Sequence, residues 1–272
     1  MDPFLLVYFA LGLVVGVAAG FFGIGGGVIA IPVLMWIFAS RGIGGDFYVH
    51  LAFGTNLFVI IVTASMASYR HTRFGNVFWK AVPYLAAFSI LGAFLSSFVA
   101  RLIPGDVLRI LFAMLMVYSG VRLLMPRKGS AAEDPSETQF CDDPPKGLCA
   151  VTGLLAGIVA GLTGLGGGIV AIPLMITLLR FPVRVVAGTS SSIMIFTAIA
   201  GTVGYIINGW GNPQLPHGAL GFVYLKAAVP YLLGTAISAQ IGAKLNSITS
   251  GPALRIIFGV FLLLMAIKVL FF

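Results

Sequence analysis

Acidic side chains are scarce in this chain, and none falls in the middle of an apolar run. Only eight of 272 residues are Asp or Glu: Asp2, Asp46, Asp106, Glu133, Asp134, Glu137, Asp142 and Asp143, all in termini, loops or helix starts. Pumps and antiporters that carry protons or metal cations usually place a carboxylate at mid-membrane, so side-chain charge equips this chain poorly to bind a cation. Cysteine is scarcer still. The spacing of Cys141 and Cys149 matches neither a zinc site nor a redox dithiol, and both read as free thiols. His50, His71 and His217 lie in or beside loops with no HExxH spacing and no partner carboxylate. That argues against metal binding or nucleophilic catalysis and leaves them as solvated side chains. Neither GxGxxG nor the Walker pattern occurs in the glycine-rich segments, so no nucleotide or other cofactor is expected.

Apolar residues dominate instead. They make up 59% of the chain against 9% charged residues, with a mean hydropathy of +1.07, which places the chain among integral membrane proteins. The runs are continuous rather than short and alternating, which favours an all-α polytopic architecture over a barrel. A net charge of +8 and a pI near 9.8 then have a membrane explanation: basic helix ends set orientation and meet anionic lipid. Membrane lipid is the expected partner, and nucleic acid is not. The N-terminal MDPFLLVYF lacks a basic region and a small-residue cleavage site, so it reads as a retained first membrane segment.

Apolar segments fall near 4–21, 27–40, 51–70, 77–100 and 107–125, and again near 147–163, 168–180, 185–208, 219–245 and 252–272. The polar, proline-containing stretch 126–146 between them holds five of the eight acids and reads as a solvated linker. The division is therefore a first membrane repeat over 1–125, a linker over 126–146 and a second repeat over 147–272. The two halves match in order. GFFGIGGGVIAIP at 20–32 returns as GLTGLGGGIVAIP at 161–173, FGTN at 53–56 as AGTS at 187–190, VPYL at 82–85 as VPYL at 229–232, and GDVLRILF at 105–112 as GPALRIIF at 251–258. The offsets of 141, 134, 147 and 146 differ only through loop length.

Positive charge orients the halves. If each half contributes two short and three long segments, one side collects Arg70, Arg73, Lys80, Arg122, Arg127, Lys128, Lys146, Arg180, Arg184, Lys244 and Arg255. The other side holds only Arg41, Arg101, Arg109, Lys226 and Lys268. Treating 4–40 as a single crossing splits the charges evenly and would need a helix about 55 Å long for a core of about 30 Å. The first count makes the repeats inverted, with both termini outside and the linker cytoplasmic. The segments flanking each glycine run are short for a span, and they either cross or re-enter with the same parity.

Successive glycines open left-handed backbone and let a ligand approach the main chain. A helix restarting after them presents free N–H groups and the positive end of its dipole, an anion site without a charged side chain. Gly25, Gly26 and Gly27 would aim one such terminus, and Gly166, Gly167 and Gly168 the other, toward one central pocket. Pro32 and Pro173 sit where a broken helix accommodates proline. The structural alternative is close helix packing alone, the role expected of Gly12, Gly16 and Gly20 and of Gly153, Gly157 and Gly161 at their four-residue spacing.

Thr55 and Asn56, matched by Thr189 and Ser190, place small polar groups at the beginning of the third helix of each half. They are candidates for the pocket, with capping or helix-to-helix hydrogen bonding as the structural alternative. Thr163, which replaces Phe22 of the first copy, makes the second half more polar and joins them. Tyr84 and Tyr231 follow the matched prolines, where interfacial anchoring is the ordinary role.

These paired G-x-G-G-G segments, in a duplicated apolar chain of this length, resemble the sulfite exporter TauE/SafE family of membrane transporters. The resemblance covers the whole chain. It implies movement of a small anion, such as sulfite, sulfoacetate or a related sulfur-containing or organic anion, across the bacterial inner membrane. A secondary transporter is the leading expectation, with a passive anion channel or a membrane-embedded enzyme as alternatives. Direction and coupling ion do not follow from the sequence.

Overall fold

A computed structural model of the chain describes residues 3–22, 26–125, 144–248 and 251–271. Gly25, Cys141 and the linker residues 126–143 lie outside the described residues. Ten α-helices account for most of the described chain: α1 (Pro3–Phe22), α2 (Gly27–Ser40), α3 (Tyr48–Arg73), α4 (Val82–Leu102), α5 (Gly105–Leu124), α6 (Lys146–Thr163), α7 (Gly168–Thr177), α8 (Val183–Gly209), α9 (Leu225–Ile248) and α10 (Gly251–Phe271). A two-residue antiparallel hairpin, β1 (Ala219–Leu220) with β2 (Val223–Tyr224), precedes α9. The protein is thus all-α and multi-pass. Among the described residues, Gly45–Arg73, Val82–Leu102, Lys146–Thr163 and Arg184–Gly209 are long and apolar enough to cross a membrane.

Large apolar side chains point outward in helical register. Leu91, Leu95, Val99 and Leu102 of α4 and Val229, Leu233, Ile237 and Ile241 of α9 are all at least half exposed. Stripes of this kind would be unfavourable in water and form the lipid-facing surface of a membrane bundle. The interior holds the hydroxyl and amide groups, including Thr55, Asn56, Ser89, Thr189, Ser190 and Thr197.

Helices cross between the halves rather than packing only within them. α1 runs parallel to α9, and α6 runs parallel to α4. At both seams glycine brings the backbones together: a methyl at Gly12 would strike the Tyr231 carbonyl, one at Gly153 the Leu85 carbonyl and one at Gly157 the Ser89 carbonyl. Gly16 and Gly161 meet Thr235 and Ala93 in the same way. These five glycines are packing residues, as their spacing indicates, and they give the dispersion contact that must replace the hydrophobic effect within lipid. Gly157→Leu is expected to cost about 3 kcal/mol or more, because a helix backbone cannot yield as a side chain can. Gly147→Leu, with open space around it, should be neutral. Monodisperse yield and melting temperature in detergent check the pair.

Two other seams are antiparallel. In α3 and α8, Leu57 lies against Gly201 and the Ser68 and Ser192 hydroxyls share a 2.7 Å hydrogen bond. In α5 and α10, Gly120 packs on Gly259 and Leu263.

Several boundaries differ from the sequence reading. α4 begins at Val82 rather than 77, since Phe78 and its neighbours form a loop. α9 begins at Leu225 rather than 219, because Gly218 and Gly221 adopt positive φ and turn the chain into the hairpin. Pro32 and Pro173 lie downstream of the breaks, where the sequence places them, inside α2 and α7. Each comes early enough in its helix that the missing N–H disturbs one carbonyl of the first turn. His50 is not solvated. It is buried in α3, with Nε2 2.9 Å from the Ala100 carbonyl and its ring packed against those of Phe47 and Phe222, which also touch each other. His217 is exposed as expected, and Cys149 is a buried free thiol.

Candidate functional site

The glycine segments end one helix and start another, as the backbone chemistry requires. α6 stops at Thr163 because Gly164 adopts a left-handed φ of 69° at its C-cap. Gly166 and Gly167 follow at φ 72° and 83°, and α7 starts at Gly168. In the first half Gly26, at φ 69°, stands at the N-cap of α2. No side chain caps either helix. The first intrahelical bonds are made by Ile29 and Ala30 N–H to the Gly26 carbonyl, and by Val170 and Ala171 N–H to the Gly167 carbonyl. The N–H groups of Gly27, Val28, Gly168 and Ile169 therefore precede any intrahelical acceptor. Gly26, Gly27, Gly166, Gly167 and Gly168 are all buried, so both positive helix ends point into the protein interior.

The two glycine segments meet through Leu165. A methyl at Gly27 would stand 2.6 Å from Asn56 Nδ2 and 3.4 Å from Leu165, a residue of the second glycine turn. One at Gly168 would stand 2.9 Å from Met194 Sδ and 3.6 Å from Ser190 Oγ. Each glycine thus faces the residue that the sequence match pairs with its counterpart: Asn56 in α3 and Ser190 in α8. The buried side chains of Ile60 and Met194 lie against Gly166, Met194 also lies against Gly168, and buried Leu165 lies against Gly27.

The two polar partners are bonded differently. Asn56 donates from Nδ2 to the Gly164 carbonyl at 2.8 Å and accepts from the Tyr231 hydroxyl at 3.1 Å. It thereby ties α3 to the second glycine turn and to α9. Ser190 Oγ is buried and has no hydrogen-bond partner. An unpaired hydroxyl in an apolar interior is costly, and this one stands beside the N-terminus of α7.

Thr55 and Thr189 are bound to the fold. Thr55 Oγ1 accepts the Tyr224 N–H at 3.0 Å, and Thr189 Oγ1 accepts the Phe78 N–H at 2.9 Å. The preceding glycines lie against the same two loops, Gly54 on the Phe222 carbonyl and Gly188 on the Asn76 carbonyl. Each G-T pair therefore clamps the loop entering α4 or α9. Neither threonine begins a helix, since α3 starts at Tyr48 and α8 at Val183, and capping is excluded. Thr55→Val and Thr189→Val are each expected to cost about 1–3 kcal/mol by stranding a buried N–H, while Thr→Ser retains the bond. Thermal denaturation of the four variants tests this. Thr163, the last residue of α6, donates back to the Val159 carbonyl at 2.6 Å.

Tyr231 is not an interfacial anchor. It is buried, and its hydroxyl serves Asn56. Tyr84 is partly buried, with Lys146 Nζ 5.7 Å above its ring. Tyr205, which donates to the Gly161 carbonyl at 2.8 Å one turn before the second break, was not singled out by sequence; its position in the first half is occupied by His71, so the repeat gave no signal. No group of three or more His, Cys, Asp or Glu that could hold a metal occurs among the described residues.

Two buried, glycine-capped helix N-termini thus lie inside a multi-pass bundle. The sequence pattern of the family described as sulfite exporter TauE/SafE matches residues 8–269, and the chain belongs to that family of membrane transporters of small anions. It is similar to a probable membrane transporter protein of Haemophilus influenzae, 27% identical over 268 residues and covering 98% of each chain. It is also similar to one of Methanocaldococcus jannaschii, 30% identical over 273 residues, with 96% and 95% covered, and to YunE of Bacillus subtilis, 24% identical with 98% and 97% covered. No solved structure matches.

Proposed function

We propose that the protein is a secondary transporter that moves a small sulfur-containing or organic anion, such as sulfite or sulfoacetate, across the inner membrane by alternating access. The observation that carries this reading is Ser190: a buried hydroxyl without a partner, beside the glycine-capped N-terminus of α7. An oxyanion placed there accepts from main-chain N–H groups at both helix ends and from the serine, with no cationic side chain. Asn56, bonded to Gly164 and Tyr231, stands beside the first end. Gly25 belongs to the proposed segment by sequence alone.

The repeats, 1–125 and 147–272 about the 126–146 linker, are proposed to be inverted. The exchange of partners between halves supports this, since α1 pairs with α9 as α6 does with α4. The antiparallel course of the matched helices α3 and α8, and of α5 and α10, supports an axis in the membrane plane. With the charge asymmetry, both termini lie outside and the linker lies in the cytoplasm. Ile60, Leu165 and Met194 then act as the plug that alternating access must displace.

Flux measured in proteoliposomes tests the function. Labelled sulfite and organosulfonates should enter with saturation and show counterflow. Uptake no faster than into empty liposomes, for every anion offered, removes the reading; rapid uncoupled flux without saturation replaces it with a channel.

A further inference from the structure

We infer a second anion site, distinct from the glycine turns, that binds the headgroup of an anionic phospholipid. It is a cleft between α2, α5 and α10. Arg109 and Lys268 supply its charge, Tyr48 and Trp36 border the polar end, and Met35 and Met265 belong to its apolar lining. It lies at the end of the bundle away from the linker, since Arg109 is near the start of α5 and Lys268 near the end of α10.

Arg109 is incompletely satisfied. Its Nη2 stands 3.2 Å from Asp106, whose carboxylate is 75% exposed, and its Nη1 makes only a 3.5 Å contact with the Tyr48 hydroxyl. Its Nε is buried without a partner. Lys268 makes no carboxylate pair among the described residues, and its Nζ lies 4.9 Å from the Trp36 ring centroid. Two cations against one solvated carboxylate leave the cleft positive, and a buried guanidinium N–H without an acceptor calls for an anionic oxygen.

The surroundings identify the anion. Trp36, Leu264 and Ile267 are about half exposed on the apolar outer surface, and a half-exposed tryptophan beside a lysine marks headgroup depth. A ligand there has a phosphate for Arg109 and Lys268 and an acyl chain for the methionine-lined groove. An anionic phospholipid has both parts, and a free aqueous anion has only the first. Bound there, it joins α2, α5 and α10 at one end.

The test uses the purified full chain in detergent, with phosphatidylglycerol and phosphatidylcholine of identical acyl chains and retention read by native mass spectrometry. The wild type should retain phosphatidylglycerol preferentially. Arg109→Gln and Lys268→Gln should each reduce that retention about fivefold. Arg101→Gln removes an exposed charge at the same end and should change nothing. Phosphatidylcholine retention should be equal in all four proteins. Equal losses in the three variants would show diffuse attraction and overturn the site, as would a wild type with no lipid preference. Protection by glycerol phosphate equal to that by phosphatidylglycerol would overturn the lipid assignment. Lys268 is exposed, so its variant keeps the test decisive if Arg109→Gln folds poorly.

Discussion

Ser190→Ala is expected to lower anion flux about tenfold or more while leaving the melting temperature unchanged or slightly raised. The two halves of this expectation have one cause. Ser190 Oγ is buried and makes no hydrogen bond within the protein, so removing it strands nothing and deletes a desolvated polar atom. With an anion present, the same hydroxyl is a donor to charge, and such a bond contributes about 1.5–3 kcal/mol, or roughly ten- to a hundredfold in binding. Ser192 is the control. Its hydroxyl is bonded to the Gly188 carbonyl and to Ser68, so Ser192→Ala should lower stability by about 1 kcal/mol or somewhat more. Its effect on flux should be no larger than its effect on folding. A Ser190→Ala protein that transports normally removes the serine from the site.

Gly27→Ala is expected to abolish transport with insertion preserved. Gly27 has an ordinary helical backbone, so the added methyl meets no torsional penalty, but it would stand 2.6 Å from Asn56 Nδ2. Asn56 must move, and its bonds to the Gly164 carbonyl and the Tyr231 hydroxyl go with it. Gly42→Ala isolates the effect. It forces a methyl onto a residue with φ of 62° but with open space around it, at about 1–2 kcal/mol. That destabilisation should leave flux intact. Gly168→Ala should be milder than Gly27→Ala, because its methyl meets the Met194 thioether, which is flexible. Flux and melting temperature measured on the three alanine variants separate site geometry from general weakening. Equal flux in Gly27→Ala and Gly42→Ala would leave the first glycine turn with a packing role only.

The sequence made the pattern of helices legible because lipid constrains it so strongly. Continuous apolar runs and the matched G-x-G-G-G segments located ten segments, and glycine alone accounts for the left-handed turns at Gly26, Gly164 and Gly167. What escaped was position within an apolar run. Thr55 and Thr189 read as helix starts because hydropathy does not distinguish a buried helical turn from a buried loop, and the G-T loop clamp depends on backbone groups of Tyr224 and Phe78 that have no side-chain signature. His50 reads as solvated on polarity and its place beside a loop; within the bundle the Ala100 carbonyl and two phenylalanine rings surround it. Tyr231 was visible in the repeated VPYL block, but its partner, Asn56, is 175 residues away. The match between Asn56 and Ser190 was readable from the repeat. That one would be bonded and the other unpaired was not, since the difference rests on Tyr231 and Gly164 reaching only the first.

The central claim concerns where an anion binds, and a structure determined with selenite, a sulfite analogue carrying an anomalous scatterer, tests it most directly. The account predicts a selenium peak between the N-termini of α2 and α7, with oxygen atoms within hydrogen-bond distance of the Gly27 or Val28 amide, the Gly168 or Ile169 amide and Ser190 Oγ. A peak found only at Arg109 and Lys268, or a saturated transport-competent protein with nothing beside the glycine turns, would contradict it.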